Sequence, residues 1–300
     1  MRLYHIALAV LVSCIWGFNF VVAQTGLADV SPFVLCSARF FFASVPLVFF
    51  VKRPAVSFKW LFAYGLVNFA LQYTLLFSGM LAGMPAGLTS LLYQSQVFFT
   101  LALAFIFFKE KPTRLQLVGI LVAVSGIVIV GFNKGSDFSV LGFILVMSGA
   151  MAWAAGNIIS KKIGKVNMLG LVVWGNFIAW PPVFLLTYYI DGKEEIMLSL
   201  KNMSDLSMLA IFYIAYLSTI VAFSLWNWML TSFPVAAVVP FTLLVPVVGM
   251  ISSALVFDEP WQLWKIGAGA LILCGIAINV FGPRLLQKSS SYFGDSRSKR

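Results

Sequence analysis

Long apolar segments alternate with short polar ones along almost the whole chain. A helix that crosses a bilayer needs about 20 mainly apolar residues. Segments of that length predict ten membrane spans, numbered 1 to 10 below, at roughly 4–24, 33–51, 60–82, 85–108, 113–132, 138–160, 168–190, 206–230, 234–257 and 262–282. The longest connection is the polar stretch from Asp191 to Asp205. The pattern therefore predicts an all-α, polytopic membrane protein.

The second half of the chain repeats the first at an offset of 149 residues. Four identities mark that offset, pairing Pro85 with Pro234, Glu110 with Glu259, Gly126 with Gly275 and Phe132 with Phe281. Each half holds five predicted spans, and an odd number makes the two halves cross the membrane in opposite directions, as in inverted-repeat transporters. We expect one repeat at 1–132, a second at 138–283 and a tail at 284–300 that is rich in Ser, Lys and Arg.

Loop charges predict the orientation of the spans. With the N-terminus in the cytoplasm, the cytoplasmic segments hold fifteen Lys and Arg and the opposite loops hold four. Lys and Arg accumulate on the cytoplasmic side of membrane proteins. The basic junction at Phe108-Lys109-Glu110-Lys111 and its acidic counterpart at Phe257-Asp258-Glu259-Pro260 follow the same rule. We therefore predict that both termini are cytoplasmic.

Composition excludes several classes of protein. Hydrophobic residues make up 61% of the chain and charged residues 10%, against about 25% charged in soluble domains. The net charge of +10 lies in short gaps between spans rather than on one face, which argues against a nucleic-acid partner. Cys14, Cys36 and Cys274 show no metal-ligand spacing, and His5 is the single histidine. No enzyme motif or cofactor site is visible, so we expect neither.

The N-terminal segment admits a second interpretation, because it resembles a signal peptide. Leu11-Val12-Ser13-Cys14 even resembles a lipoprotein processing site. However, the apolar segment continues past Trp16 to about Val22, beyond the length of a typical signal core. Its removal would also leave the first half one span short, so we expect it to be retained as span 1.

Span 4 carries a stripe of polar residues. Thr89, Tyr93, Gln96 and Thr100 share one face of a regular α-helix, and Gln94 lies beside them. Polar side chains within lipid are costly unless they face a cavity or a partner helix. Hydrogen bonds between membrane helices contribute only about 0.6 kcal/mol each on average. The stripe thus favours a substrate path, with interhelical bonding as the alternative.

Two Trp–Asn pairs occupy corresponding positions in the two halves. Trp16 and Asn19 are three residues apart in span 1, and Trp153 and Asn157 are four apart in span 6. These tryptophans lie near the span centres, whereas an interfacial belt places them at the ends. We predict that they line a central cavity together with polar residues of spans 3 and 8, namely Asn68, Gln72, Tyr73, Tyr216 and Asn227.

Arg39 is the one charged residue well inside a predicted span, about 9 Å along span 2 at 1.5 Å per residue. Three roles are open to it: it extends to the membrane surface, it pairs with helix-end carbonyls, or it attracts a substrate carboxylate. No Asp or Glu lies within a predicted span, which argues against a carboxylate proton relay.

Prolines and small residues predict bends and close packing. Pro240 and Pro246 in span 9, with the repeat-related Pro85 and Pro234, are predicted helix bends. Small-residue stripes allow helices to approach closely, and they occur on span 5 (Gly119, Ala123, Gly126) and span 10 (Gly267, Ala270, Cys274, Ala277). They predict a scaffold contact or a homodimer through spans 5 and 10.

The chain resembles the EamA-type members of the drug/metabolite transporter superfamily over nearly its full length. The segments that carry the resemblance, in order, are Trp16-Gly17-Phe18-Asn19-Phe20-Val21, Arg39-Phe40, Gly83-Met84-Pro85-Ala86-Gly87-Leu88, Gly156-Asn157 with Lys161-Lys162, Leu243-Leu244-Val245-Pro246-Val247-Val248-Gly249, and Asp258-Glu259. The resemblance is strongest to bacterial inner-membrane exporters of O-acetylserine and cysteine.

This resemblance implies ten helices in two inverted five-helix repeats around a cavity lined mainly by spans 1, 3, 4, 6, 8 and 9. Tyr93 stands where those exporters commonly carry a smaller aliphatic residue, which implies a narrower cavity. The implied function is export of small amino acids or related metabolites by alternating access across the lipid bilayer.

In this hypothesis aromatic side chains pack the apolar part of the substrate and amides bind its polar end. The aromatic residues are Trp16, Tyr93 and Trp153, and the amides are Asn19, Gln72, Gln96, Asn157 and Asn227. Two alternatives stay open: transport of a nucleotide-like metabolite such as S-adenosylmethionine, and a non-transporting structural membrane protein whose polar stripes are buried without a continuous cavity.

Overall fold

The computed structural model describes residues 3–109, 114–132, 139–164, 166–232, 241–242, 244–258, 263–264, 266–275 and 277–278, and these contain helices and no strand. The apolar helices match the predicted spans: Leu3–Gly26, Pro32–Val48, Phe58–Leu81, 86–108, Arg114–Phe132, Val140–Ile163, Met168–Ile190, 205–232, Leu244–Phe257 and Ile266–Gly275. Spans 1, 3, 4, 6, 7 and 8 are long and apolar enough to cross a membrane, and the other four have shorter apolar stretches.

Polar side chains at the loops set where several helices begin. The Ser31 hydroxyl accepts a hydrogen bond from the Val34 N–H at 3.1 Å, with Pro32 as the first helical residue of span 2. Ser139 and Asn167 cap spans 6 and 7 in the same way. Such caps satisfy backbone donors that the first helical turn leaves free.

An additional helix lies in the longest polar connection, for which the sequence pattern predicts no helix or strand. Residues Gly192–Asn202 are helical between spans 7 and 8. Glu194 and Glu195 lie in its first turn and Lys201 in its last turn. Acidic residues in the first turn and a basic residue in the last turn interact favourably with the helix dipole. The helix is too polar to be found by a search for apolar segments.

Spans 3 and 8 share a local irregularity that regular apolar periodicity does not reveal. Each contains a π-helical segment, Leu66–Leu71 in span 3 and Tyr213–Val221 in span 8. At the repeat offset of 149 residues these segments correspond to within two residues. Insertions of this kind are frequent at functional sites.

Spans 4 and 9 share a second irregularity. Tyr93–Ser95 form a 3₁₀ turn in the middle of span 4. Phe241 and Thr242 have the same conformation just before the helix of span 9, and Thr242 is the repeat counterpart of Tyr93. The two halves therefore share two departures from regular α-helix as well as a span pattern.

The structure places Pro85 outside a helix interior, where no bend is required. Pro85 lies immediately before the first helical residue of span 4, and the interruption of that span is the proline-free 3₁₀ turn. Pro246 is the third residue of the described helix Leu244–Phe257, and a bend there stays a prediction. Pro234 and Pro240 lie outside the described residues.

Spans 5 and 10 pack against each other within the chain through very small residues. A Cβ atom on Gly126 would lie 2.8 Å from the Ala268 carbonyl oxygen, and one on Gly275 would lie 2.5 Å from the Gly119 carbonyl oxygen. The contact face of span 10 carries Ala268, Ile272 and Gly275, so the predicted stripe is one position out of register; its members Gly267, Ala270 and Cys274 are exposed. A homodimer through these spans stays a prediction.

Candidate functional site: a central aromatic and polar cavity

The inner helices enclose a small cavity. Span 1 packs against spans 8 and 9, span 4 against spans 6 and 9, and span 3 against span 6. The cavity between them has a volume of about 30 Å³. Its lining comes from spans 1, 3, 4, 6, 8 and 9, and consists of Trp16, Asn19, Phe20, Tyr73, Leu76, Tyr93, Gln94, Trp153, Ser218, Phe223 and Val245.

Aromatic rings form most of the cavity wall. Trp16 meets Trp153 edge-on with ring centroids 6.3 Å apart, and Tyr93 lies 5.1 Å from Trp153. Phe223 of span 8 approaches Trp16 at 5.1 Å. Contacts between rings at such separations are favourable and geometrically specific. The three predicted aromatic residues are thus brought together at one place, with Trp16 and Trp153 from corresponding positions of the two halves.

The π-helical segment of span 8 holds span 1 at two points. The Trp16 indole N–H donates to the Ser218 carbonyl oxygen at 3.1 Å, and the Tyr213 hydroxyl donates to the Ile15 carbonyl oxygen at 2.9 Å. These bonds fix the plane of Trp16 in the cavity wall. Sequence reasoning missed Ser218 and Tyr213, because nothing in an apolar run marks where a helix changes its hydrogen-bonding pattern.

Three polar residues that line the cavity have side-chain atoms without a hydrogen bond to the described residues. The atoms are the Asn19 side-chain oxygen, the Tyr93 hydroxyl and both amide atoms of Gln94. All three residues are at most 5% exposed. The Tyr93 hydroxyl lies close enough to the Gln72 side chain to interact with it. A buried polar atom without a partner costs about 1–3 kcal/mol, so these atoms are candidates for hydrogen bonds to water or to a polar ligand.

Gln94 lines the cavity and the predicted Gln96 does not. A 3₁₀ turn at Tyr93–Ser95 interrupts span 4 between the two α-helical parts of the span. The predicted four-residue stripe is divided, with Tyr93 at the cavity and Gln96 and Thr100 at the boundary with span 6.

Gln96 and Asn157 bind each other instead of lining the cavity. The Asn157 side-chain amide donates to the Gln96 side-chain oxygen at 3.1 Å and to the Thr100 hydroxyl at 3.3 Å. The Thr100 hydroxyl donates to the Gln96 carbonyl oxygen at 2.7 Å. We call these three residues the span 4–6 clamp. For them, the structure favours the interhelical alternative.

The remaining predicted amides lie elsewhere. Gln72 is fully buried beside the π-helical segment of span 3, and its side chain makes no hydrogen bond within the described part of the chain. Asn68 packs against Gly156, where a Cβ would lie 2.1 Å from the Asn68 side-chain oxygen. Asn227 belongs to the helix Ala222–Ser232, and its side chain lies outside the described residues.

Arg39 does not extend to the membrane surface. It is completely buried in span 2. Its Nε donates to the Thr219 hydroxyl at 2.9 Å, and its guanidinium carbon lies 3.5 Å from the centre of the Tyr73 ring. Its two terminal nitrogens have no hydrogen-bond partner among the described residues. Because Tyr73 lines the cavity, a positive charge lies directly behind the cavity wall.

Ten apolar helices, repeat-related irregularities and a central polar cavity define a multi-pass membrane transporter. The EamA-like transporter family matches residues 3–132 and 140–281, and the chain belongs to that family. The family fold, ten membrane helices with an internal repeat, agrees with the helices described above. The predicted family and fold class are confirmed.

Individual relatives agree with this assignment. The chain is 38% identical over 283 residues to a probable amino-acid metabolite efflux pump of Escherichia coli strain K12, a match covering 92% of this chain and 95% of that protein. A protein of the same name from Salmonella typhimurium strain LT2 is 37% identical, with coverage of 93% and 95%. A crystal structure aligns with a TM-score of 0.65 at 18% identity, over 95% of this chain and 99% of the other.

Proposed function

We propose that this chain is a carrier of the bacterial inner membrane that exports small amino acids or related metabolites by alternating access, with both termini in the cytoplasm. Two relatives at 37–38% identity bear the name of probable amino-acid metabolite efflux pumps. The orientation rests on the excess of Lys and Arg in the segments assigned to the cytoplasm.

The observation that carries the proposal is the set of unpaired polar groups in the aromatic cavity. Asn19, Tyr93 and Gln94 supply an acceptor, a hydroxyl and an amide around a space walled by Trp16 and Trp153. A small amphiphilic solute would satisfy these groups with its polar end and contact the rings with its apolar part. A structural protein would gain nothing from leaving them unpaired, because each unmade bond is destabilising.

The size of the cavity supports a transport cycle with more than one conformation. The cavity volume of about 30 Å³ compares with the roughly 10–15 Å³ of such space that one water molecule requires, so the cavity holds about two or three waters and an amino acid fits only after the inner helices separate. Spans 3, 4 and 8 carry π or 3₁₀ segments beside the cavity. Mid-helix segments of this kind often act as hinges. Because they recur in both halves, one half could open the cavity towards one face of the membrane and the other half towards the opposite face.

The experiment is counterflow in proteoliposomes with a radiolabelled panel of amino acids, including cysteine and O-acetylserine, and S-adenosylmethionine as the nucleotide-like comparison. We expect at least one small amino acid to exchange. Asn19→Ala and Tyr93→Phe should each lower that rate about tenfold, the effect of one hydrogen bond of about 1.4 kcal/mol.

Asn176→Ala is the matched control, because Asn176 is a fully buried amide with an unpaired oxygen that does not line the cavity. The transport rate of this variant should remain within about twofold of wild type, because the substitution changes the packing around residue 176 and not the lining of the cavity. Exchange of S-adenosylmethionine alone, or equal rates in all three variants, would contradict the proposal.

A further inference from the structure

Arg39 is a buried positive charge, and the described residues provide only part of the hydrogen bonds that its guanidinium can make. The side chain is fully buried, and its hydrogen bond to Thr219 uses only Nε. Its two terminal nitrogens make no hydrogen bond of normal geometry among the described residues, although the Tyr73 hydroxyl interacts with the guanidinium. A charge inside a membrane protein is costly and usually has a paired anion or marks a substrate path. No acidic side chain forms an ion pair with Arg39 in the described structure.

The Tyr73 ring accounts for part of the missing stabilisation and also connects the charge to the cavity. The guanidinium lies 3.5 Å above the ring centre, within the range of a cation–π contact. The same ring belongs to the cavity lining. Arg39 is therefore separated from the cavity by one aromatic side chain, and a movement of that side chain would open a direct path to two unpaired guanidinium nitrogens.

The position of Arg39 behind Tyr73 determines the electrostatic potential inside the cavity. The described acidic residues lie in loops, in the Gly192–Asn202 helix or at the first residue of span 8. Around the cavity itself the side chains are aromatic, aliphatic, hydroxyl or amide. Because the surrounding medium has a low dielectric constant, a single nearby positive charge acts strongly on any anion that enters.

Other residues of the cavity lining suit a positive group. Asn19 offers an unpaired acceptor oxygen, and Trp16 and Trp153 present aromatic rings. An ammonium group is attracted both by an amide oxygen and by the face of an indole ring. The lining therefore supplies contacts for an ammonium group, while Arg39 behind Tyr73 supplies a positive charge for an anion.

We propose that Arg39 selects the carboxylate of the transported solute and that Tyr73 separates the two when the cavity is narrow. The inference rests on the proposed function and adds a substrate class, zwitterions with a free carboxylate. A guanidinium forms a two-pronged pair with a carboxylate, so binding completes the hydrogen bonds that the empty site lacks. The ammonium group then lies toward Asn19.

The test compares each transported amino acid with its carboxamide, which keeps the side chain and ammonium group but lacks the negative charge. Counterflow in proteoliposomes should favour the free acid in the wild-type protein. In Arg39→Gln the preference for the acid should fall about tenfold or more, because a charge-assisted hydrogen bond to the carboxylate is lost, while carboxamide exchange persists. Arg39→Lys keeps the charge without the planar fork and should retain an intermediate preference.

A further variant protects the test against misfolding. Thr219→Val removes the hydrogen bond to Arg39 Nε and leaves the charge in place, so the acid preference should remain. The wild-type comparison of acid and carboxamide needs no variant at all.

The outcomes separate this inference from the proposed function. Exchange of amino acids with equal rates for acid and carboxamide overturns the role of Arg39 and leaves the carrier proposal intact. An equal loss of both substrates in Arg39→Gln, with the preference unchanged, also overturns it. Exchange of no amino acid by the wild-type protein overturns both.

Discussion

Span 4 carries two glutamines two residues apart that have opposite environments. Gln94 faces the cavity, and neither of its amide atoms has a hydrogen-bond partner among the described residues. Gln96 accepts a hydrogen bond from Asn157 across the boundary with span 6. Both side chains are more than nine-tenths buried. The two side chains therefore share their burial and differ in their hydrogen bonds and in their contact with the cavity.

The largest expected effect comes from removing the unpaired amide. Gln94→Met preserves length and buries no polar atom, so transport should fall about tenfold or more, the equivalent of one lost hydrogen bond to the solute. The thermal unfolding temperature of the purified protein should stay level or rise, because an unsatisfied amide is removed. Counterflow rates and unfolding in detergent, measured on the same preparation, test both parts. A variant that unfolds earlier and transports normally would reverse the assignment of the two glutamines.

The second-largest expected effect is at the span 4–6 clamp, where a substitution should lower stability and leave transport nearly unchanged. Gln96→Met leaves the Asn157 amide short of an acceptor, so the free energy of unfolding should fall by about 1–3 kcal/mol. Transport per folded molecule should remain within about twofold of wild type. A double-mutant cycle with Asn157→Leu measures the coupling directly, since residues in contact depart from additivity by about 0.5 kcal/mol or more.

Additive losses in that cycle would mean that the bond between Gln96 and Asn157 contributes no coupling energy. A tenfold fall in transport for Gln96→Met alone would show that the clamp belongs to the binding site. The glutamine pair makes the comparison unusually well controlled. Residue type, helix and burial are shared, and only the hydrogen-bond environment differs.

The same pair shows what the sequence can and cannot predict here. Apolar runs identify the spans because membrane thickness dictates their length, and the family motifs imply the six spans that line the cavity. The environments of Gln94 and Gln96 depend on which neighbouring helix each side chain meets, and the bond from Asn157 to Gln96 forms only in the packed structure. The 3₁₀ turn beside them contains neither proline nor glycine, so the sequence carries no local signal for it either.

Other features escape prediction for related physical reasons. The π-helical segments in spans 3 and 8 lie within continuous apolar sequence, and tertiary contacts such as the Trp16 bond to Ser218 select them. The helix Gly192–Asn202 is too polar for a hydropathy search. Arg39 could be recognised from the sequence as a buried charge, whereas its contact with Tyr73 needed three-dimensional packing.

The smallest expected effect concerns a third polar cluster, which is paired as in the clamp but exposed to solvent. Asp29, in the loop after span 1, accepts hydrogen bonds from Ser204 and, at 2.6 Å, from the Ser207 hydroxyl. Bonds from Ser204 and then Ser207 hold the pKa of the Asp29 carboxyl below its ordinary value of 3.8. A lowered pKa in the folded state means that the ionised form stabilises the fold above the unfolded pKa of about 3.9, and that this contribution is lost as the pH falls through the folded value.

Asp29→Asn removes the charge and keeps an acceptor oxygen, so its unfolding temperature should depend less on pH than that of wild type between about pH 5 and pH 2, the window set by a carboxyl pKa below about 3.9. The difference between the two curves isolates Asp29 from the other carboxylates, which titrate in both proteins. It should be smaller than the effect of Gln96→Met, because solvent screens an exposed group. Superimposed curves would mean that pairing at this loop contributes nothing measurable, and that the contrast between paired and unpaired polar groups applies only to the buried side chains of spans 4 and 6.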